Sequence, residues 1–174
     1  QKGNLIHFGE RDCSIQRRNQ KIIEESPAPS ISQTLRNQLY AESIKLAKAI
    51  NYTNAGTVEF LVDEDENPHF LEMNTRLQVE HAVTELVTGF DLVEMQLRVA
   101  DGQDLSIKQQ EVSLSGHAIE VRLYAEDPRN EFLPSVGILD MWQFIGSKGT
   151  RVDSGVVEGQ EISPFYDPML AKII

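Results

Sequence analysis

From residue 70 to residue 81 the chain reads Phe-Leu-Glu-Met-Asn-Thr-Arg-Leu-Gln-Val-Glu-His. If this segment is an extended strand, its side chains alternate between two faces. The odd positions from 71 to 79 are apolar or nearly so. The even positions are all polar, and they are Glu72, Asn74, Arg76, Gln78 and Glu80. Carboxylate, amide and guanidinium groups in one row are typical of a site that holds a divalent cation beside a small anion.

A second β run, residues 57–62, precedes this segment, and a polar turn separates the two. Together they predict a hairpin. If its turn is symmetric about residues 65 and 66, Glu59 lies opposite Glu72 with Cβ atoms roughly 5 Å apart. Two carboxylates at that separation repel unless a cation lies between them, and Asn74 adds an amide oxygen. The pattern therefore predicts a Mg²⁺ or Mn²⁺ site, and the alternative is a solvated hairpin face with two unrelated glutamates.

The residues beyond the predicted metal ligands indicate an anion site. An Arg76 fork with the neighbouring Gln78 amide can hold a planar oxyanion at two points. The Glu80 carboxylate could then accept a proton from a hydroxyl of that oxyanion. Bicarbonate fits this description, but the residues alone do not choose it over a carboxylate or a phosphate. Lys21, in the basic run of residues 16–21, is predicted to add a point charge beside Arg76.

Local patterns predict an α+β fold. Strands are expected over residues 4–9 and 13–23, followed by a helix from an N-cap at Ser32 to about residue 50. A second helix is expected from a cap at Asp91 to Gly102. Three β runs follow, at residues 118–125, 138–145 and 152–158. The change from mixed to mostly β character places a domain boundary near residue 112.

Composition excludes several classes of protein. The 174 residues are 40% hydrophobic and 25% charged, as in ordinary globular domains, and the net charge of −11 disfavours a broad nucleic-acid or anionic-membrane surface. A single cysteine excludes an internal disulfide framework. There is neither an apolar run long enough to span a membrane nor a signal peptide. The first residues read as a turn between two strands, so we expect the chain to begin inside a larger protein.

Four segments give the chain a resemblance to the biotin carboxylase component of biotin-dependent carboxylases, a branch of the ATP-grasp enzymes. They read Glu10-Arg-Asp-Cys-Ser-Ile-Gln-Arg-Arg-Asn-Gln-Lys21, Gly56-Thr-Val-Glu-Phe60, Glu72-Met-Asn-Thr-Arg-Leu-Gln-Val-Glu-His81 and Gly116-His-Ala-Ile-Glu-Val-Arg122. The third is the most specific, because other ATP-grasp enzymes share the Glu…Glu-x-Asn pattern without the Arg-x-Gln-Val-Glu-His continuation. Tyr124-Ala-Glu-Asp-Pro and Phe132-Leu-Pro resemble acyl-CoA carboxylases more than pyruvate carboxylase.

The resemblance implies both a fold and a reaction. Residues 1–112 would be the C-terminal part of an ATP-grasp domain, an antiparallel sheet with helices, and residues 113–174 would begin a mostly β biotin carboxylase C-terminal domain. The reaction would be ATP- and bicarbonate-dependent carboxylation of biotin on a carrier protein through carboxyphosphate, the first half-reaction of an acyl-CoA carboxylase. ATP, Mg²⁺ or Mn²⁺, and biotin as a substrate on its carrier would be the cofactors.

The resemblance also implies a role for each site residue. The metal ligands would be Glu59, Glu72 and Asn74, and the ATP-binding residues would be Gln16, Asn19, Glu59 and Glu72. Bicarbonate would bind Lys21, Arg76, Gln78 and the Val79 backbone. The catalytic residues would be Arg76, Glu80, which deprotonates bicarbonate, and Arg122, which stabilises the biotin enolate. From its strand position alone, Arg122 reads as a surface or ion-pair residue. Asn19 stands where many relatives have His, so a titrating role there is in doubt.

The implied partners are a biotin carboxyl carrier domain, a carboxyltransferase subunit and a second copy of the chain, in contact through Arg151. No nucleic-acid or membrane partner is expected, and the location would be the cytoplasm, or the mitochondrial matrix in a eukaryote. The family's nucleotide lid has no counterpart in this sequence, so we expect the chain to be inactive alone. Two alternatives stay open: another ATP-grasp carboxylate–amine ligase, and a non-catalytic fragment that keeps only packing and subunit contacts.

Overall fold

The computed structural model describes residues 4–144 and 146–174, and its helices and strands confirm the α+β class. The helices are α1 (Gln33–Ala49), α2 (His81–Thr88) and α3 (Leu92–Ala100), with short 3₁₀ turns at Gln109–Glu111 and Pro128–Asn130. The strands are β1 (Asp12–Arg17), β2 (Gln20–Ser26), β3 (Thr57–Val62), β4 (Pro68–Asn74), β5 (Ala118–Tyr124), β6 (Glu126–Asp127), β7 (Leu133–Pro134), β8 (Gly137–Ile138), β9 (Val152–Ser154), β10 (Glu161–Ile162) and β11 (Met169–Ile173).

These elements group into two compact units. The first holds the residues up to Asp12 together with Glu25–Ala118, and the second holds Cys13–Glu24 together with Ile119–Ile174. The predicted domain boundary near residue 112 remains a prediction. No helix in the described part of the chain is long and apolar enough to cross a bilayer.

Helix capping in the first unit follows the sequence prediction. Ser32 caps α1, since its Oγ accepts a hydrogen bond from the Leu35 N–H at 3.2 Å, and the Leu35 side chain is buried. Asp91 caps α3 in the same way, with its Oδ1 accepting from the Glu94 N–H at 2.7 Å. Gly102 follows α3 with a φ of +84°, a left-handed conformation that glycine adopts without steric cost. Both predicted helices are confirmed.

The β3–β4 hairpin confirms the predicted pairing of Glu59 with Glu72. Near the turn the register is centred on residue 65, with Val62 opposite Pro68. A β-bulge between Glu59 and Phe60 then shifts the register by one residue. Because of this extra residue in β4, the two glutamates face each other although the turn is not centred between residues 65 and 66.

The prediction of a continuous strand through Glu80 is wrong beyond Asn74. Asn74 pairs with Thr57, the first residue of β3, and the backbone of residues 75–80 has no ladder partner there. Those residues form a bend and a turn that lead into α2. The helix α2, whose Val83 and Val87 are buried, was not predicted. Its eight residues include several β-branched ones, which disfavour a helix in isolation.

The second unit is built on a five-stranded sheet in the order β1-β2-β5-β11-β9. β11 is antiparallel to both of its neighbours, so Lys172 lies opposite Arg122 on one side and Asp153 on the other. On β5 the residues alternate, with Ala118 and Glu120 buried and Ile119 exposed. The predicted strand there is confirmed.

Four further strand predictions need correction. Residues 13–23 form two strands, because Arg18 and Asn19 take φ values of 52° and 63° and make a tight turn. Residues 4–9 form no strand. Instead the side chain of Gln109 binds the His7 backbone, with Oε1 accepting from its N–H at 2.8 Å and Nε2 donating to its carbonyl at 3.0 Å. The β runs at 138–145 and 152–158 shorten to β8 and β9, and residue 145 lies outside the described residues.

Candidate active site

The two facing glutamates of the hairpin converge on one amide. The Nδ2 group of Asn74 donates to Oε1 of Glu59 and to Oε1 of Glu72, at 3.1 Å in each case. The Asn74 Oδ1 atom accepts from the NH2 group of Arg76 at 3.2 Å. Four of the predicted site residues therefore form one hydrogen-bonded group, even though Arg76 lies beyond the end of β4.

These side chains fit a hard divalent cation. Two carboxylates directed at a single point, where the Asn74 amide nitrogen now lies, are donors that Mg²⁺ takes together with phosphate oxygens and water, and the Asn74 oxygen would join them if the amide turned. No group of three or more His, Cys, Asp or Glu side chains suited to a metal occurs in residues 4–144 or 146–174. An ion bound here would therefore depend on Asn74 and on oxygen atoms from outside the protein.

Gln78 joins the same group from the loop before α2. Its Nε2 donates to Glu59 Oε1 at 2.6 Å, and its Oε1 accepts from the NH2 group of Arg11 at 2.7 Å. Gln78 is only 6% exposed, although it lies in a loop. Arg11 lies in the first of the four segments that carry the resemblance, but it was assigned no role there, because nothing in its local pattern relates it to Gln78, 67 positions later.

Glu80 occupies the N-cap position of α2 and is 2% exposed. Its side chain makes no capping hydrogen bond to that helix. In the next residue, His81, the Nδ1 atom is hydrogen-bonded to the Gln78 carbonyl oxygen at 2.8 Å, and the backbone N–H donates to the same oxygen at 3.2 Å. The turn from Gln78 to His81 is therefore fixed by two bonds to one carbonyl, and this holds the Glu80 backbone in place.

The predicted nucleotide and anion residues of the basic run lie in the second unit. Gln16 is exposed on β1 and donates to the Cys13 carbonyl at 3.0 Å. Asn19 is exposed in the turn between β1 and β2, and Lys21 is half-buried near the start of β2. Their predicted roles stay predictions.

Arg122 on β5 lies in a tight ion pair with Glu24 of β2. The guanidinium Nε donates to Glu24 Oε1 at 2.6 Å, and NH2 lies 2.5 Å from the same oxygen. The Glu24 side chain is fully buried, and that of Arg122 is 11% exposed. Burial alone would lower the pKa of Arg122, but hydrogen bonding with Tyr124 and the charge of Glu24 raise it overall. Arg122 is therefore a charged group held by a buried carboxylate, and no sequence pattern had indicated Glu24 as its partner.

A second ionic group lies on the same sheet. The Arg151 Nε donates to Asp153 Oδ1 at 2.8 Å, and its NH2 donates to Oδ2 at 2.8 Å. The Lys172 ammonium lies 3.5 Å from Asp153 Oδ2 and 3.8 Å from Glu120 Oε2. Hydrogen bonding from Arg151, together with the positive charges of Arg151 and Lys172, lowers the pKa of Asp153 below its ordinary value despite some burial. Arg151 thus has a partner within its own unit.

Comparison with known families divides the chain into two matches. Residues 1–108 match the family model described as the carbamoyl-phosphate synthase L chain ATP-binding domain. Residues 120–174 match the biotin carboxylase C-terminal domain. The first match alone covers more than half of the chain.

Curated relatives and solved structures agree with these matches. Biotin carboxylase 2 of Bacillus subtilis is 53% identical over 174 residues, which are 100% of this chain and 39% of that protein. The mitochondrial methylcrotonoyl-CoA carboxylase subunit alpha of Rattus norvegicus is 52% identical over 99% of this chain and 24% of its own length.

A solved structure of the biotin carboxylase domain dimer of Hydrogenobacter thermophilus 2-oxoglutarate carboxylase, in complex with MgADP, ADP and bicarbonate, is 46% identical in sequence to this chain. It superposes with a TM-score of 0.95 over 99% of this chain and 38% of that one. The chain thus spans well under half the length of these relatives.

Proposed function

Because the chain belongs to the biotin carboxylase family, we propose that it forms one side of the site where ATP activates bicarbonate and biotin is carboxylated. The complete enzyme would use ATP to convert bicarbonate into carboxyphosphate, which releases CO₂ to N1 of biotin. The observation that supports this proposal best is the convergence of Glu59, Glu72, Asn74, Arg76 and Gln78 through hydrogen bonds.

Glu59, Glu72 and Asn74 are proposed to hold the divalent cation and, through it, the ATP phosphates. A bound ion supplies positive charge that offsets the charge developing on the transferred phosphoryl group. The chain's own contribution is to orient the ligands. Asn74 Nδ2 holds both carboxylates at 3.1 Å, so the carboxylates would need little rearrangement to bind a cation, whereas the Asn74 amide would turn to present its oxygen. Gln16 and Asn19 are proposed to contact the nucleotide.

Arg76, Gln78, the Val79 backbone and Lys21 are proposed to bind bicarbonate. Arg76 donates a hydrogen bond to Oδ1 of Asn74, and Gln78 donates one to Oε1 of Glu59. Both acceptors belong to proposed metal ligands. Guanidinium and amide N–H groups are suited to a planar oxyanion, and their links to the metal ligands would keep that anion beside the ATP phosphates.

Glu80 is proposed to be the general base. It would accept the hydroxyl proton of bicarbonate while a bicarbonate oxygen forms a bond to the γ-phosphorus of ATP and the bond from that phosphorus to ADP breaks. The buried carboxylate lies at a fixed turn and does not cap α2, so its position does not depend on the helix N–H groups.

Arg122 is proposed to stabilise the enolate oxygen that develops on biotin. A charged donor fixed before the reaction begins stabilises developing charge without reorganisation during the step. The bonds from two Arg122 nitrogens to the buried Glu24 provide that fixation.

The partners of the complete enzyme are also part of the proposal. They are a biotin carboxyl carrier domain, a carboxyltransferase subunit and a second copy, with Arg151 at the contact between copies. One relative is named a mitochondrial subunit and another is a bacterial protein, so the proposed location is the mitochondrial matrix or the cytoplasm.

The decisive experiment measures ATP cleavage by the complete carboxylase of which the chain is proposed to be a part. Cleavage should require bicarbonate and should increase with free biotin, and the isolated chain should show none. Cleavage that responds to another carboxylate and an amine would support a different ATP-grasp ligase. The absence of ATP cleavage in the complete protein would support a non-catalytic role.

A further inference from the structure

The Arg11 side chain lies behind the proposed bicarbonate ligands of the first unit. Its NH1 donates to Thr84 Oγ1 at 2.9 Å, and its NH2 donates to Thr57 Oγ1 at 3.1 Å and to Gln78 Oε1 at 2.7 Å. Thr84 and Gln78 are 4% and 6% exposed. We propose that Arg11 is a positioning residue that fixes the Gln78 amide with its N–H groups toward bicarbonate, an inference that rests on the proposed function.

Two opposite charges select the orientation of this amide. A glutamine amide can turn by 180°, which exchanges its oxygen and nitrogen. In the observed orientation Oε1 faces the Arg11 guanidinium, and Nε2 faces the Glu59 carboxylate at 2.6 Å. The turned amide would direct its N–H groups at the guanidinium and its oxygen at the carboxylate. Donor would then face donor and acceptor would face acceptor, so the amide has one favourable orientation.

The fixed orientation determines what Gln78 offers a ligand. Its nitrogen has two N–H groups, and Glu59 accepts a hydrogen bond from one of them. The other N–H group can donate a hydrogen bond to an oxyanion. With the oxygen held by Arg11, the amide cannot present an acceptor on this side. Gln78 therefore favours an anion, and Arg11 determines this preference without touching the anion itself.

A purely structural role for Arg11 is the competing explanation. The same guanidinium links the residue before β1 to Thr57 on β3 and to Thr84 on α2, so its loss also removes two hydrogen bonds that tie these elements together. A general loss of packing would affect the binding of ATP and of bicarbonate alike. An effect transmitted through Gln78 would affect bicarbonate specifically and would disappear when Gln78 is already absent.

A double-mutant cycle in the complete carboxylase separates the two explanations. Arg11→Met should raise the KM for bicarbonate about tenfold and change the KM for ATP by less than about twofold, as expected for a lost charged hydrogen bond. In a Gln78→Ala background the same substitution should add less than about a twofold change. Arg11→Lys, which keeps the charge but loses the fork, should give an intermediate KM, and it replaces Arg11→Met in the cycle if that variant does not fold.

Arg36→Met is the matched control. Arg36 is another half-buried arginine of the first unit, but its hydrogen bonds go to Glu10 and to the Ala28 carbonyl and not to Gln78. Its replacement should leave the bicarbonate KM unchanged. Additive effects of the Arg11 and Gln78 substitutions, or parallel rises in both KM values, would overturn the inference. A wild-type bicarbonate KM in the Arg11 variants would overturn it while leaving the proposed function intact, whereas a wild-type enzyme that cleaves ATP without bicarbonate would remove both.

Discussion

Replacing Glu72 by Gln should stabilise the metal-free chain and weaken its response to Mg²⁺. Glu59 Oε1 and Glu72 Oε1 each lie 3.1 Å from Asn74 Nδ2. The two oxygens are therefore within roughly 6 Å of each other, where unit charges repel by roughly 0.7 kcal/mol in water and roughly 3 kcal/mol at an effective dielectric constant near 20. Because Glu72 is exposed, the lower part of this range applies, and we expect a gain of about 1 kcal/mol.

The thermal midpoint measures both effects in the purified chain. For a protein of this length about 1 kcal/mol corresponds to a rise of about 2–4 °C. Mg²⁺ at ten times its dissociation constant would stabilise the wild type by about 1.4 kcal/mol. Glu72→Gln keeps an oxygen acceptor for Asn74 but loses one of the two carboxylate ligands. The variant should therefore unfold at a higher temperature without Mg²⁺ and gain little when the ion is added.

Glu64→Gln is the control, because it removes the same charge from the exposed turn of the same hairpin. Its Mg²⁺ response should equal that of the wild type. A lower midpoint of Glu72→Gln without Mg²⁺ would exclude repulsion between Glu59 and Glu72, and a full Mg²⁺-dependent rise in this variant would exclude Glu72 as a ligand. Equal effects of the two substitutions would show that only the net charge of −11 matters.

Three further substitutions test the other charged groups. Glu80→Gln in the complete enzyme should lower turnover at least ~10²-fold in steady-state assays with little change in ATP binding, and near-normal turnover would exclude Glu80 as the base. Arg122→Ala should reduce biotin carboxylation much more than biotin-independent ATP cleavage, and equal losses would contradict its role on biotin. The hydrogen bond from Arg151 lowers the pKa of Asp153 in the folded chain. The ionised Asp153 therefore stabilises the fold at pH values above its ordinary pKa of 3.8, and this stabilisation is lost as the pH falls through the lowered pKa. Asp153→Asn should therefore flatten the acid side of the curve of thermal midpoint against pH, and an unchanged curve would contradict this.

Much of the fold could be predicted where the determining partner is close in sequence. The Ser32 and Asp91 caps act on residues three positions ahead, so sequence alone locates the starts of α1 and α3. The hairpin also follows from neighbouring signals. The end of β4 does not. β4 stops at Asn74 because its partner Thr57 is the first residue of β3, so the residues after Asn74 have no strand opposite them. An alternating pattern continues past that point although the ladder stops.

The candidate site divides in the same way. Glu59, Glu72 and Asn74 share a face of one hairpin, and their grouping follows from strand geometry. Arg11 and Glu24 were missed because their contacts are distant in sequence. Glu24 meets Arg122 across 98 positions and Arg11 meets Gln78 across 67, so neither pairing produces a local pattern. Three-dimensional contacts were needed to find both.

The order of strands in the second unit has a consequence for synthesis on the ribosome. Residues 13–24 provide most of β1 and β2, and β5, the other neighbour of β2, emerges only after the first-unit residues 25–118 have been made. During that interval β2 presents an open edge to the cell, and such edges favour association with other chains. Pairing over a long sequence separation is also slow. The nascent chain is therefore most exposed to misassembly before Ala118–Tyr124 leaves the exit tunnel, and a chaperone that covers β2 would be most useful then.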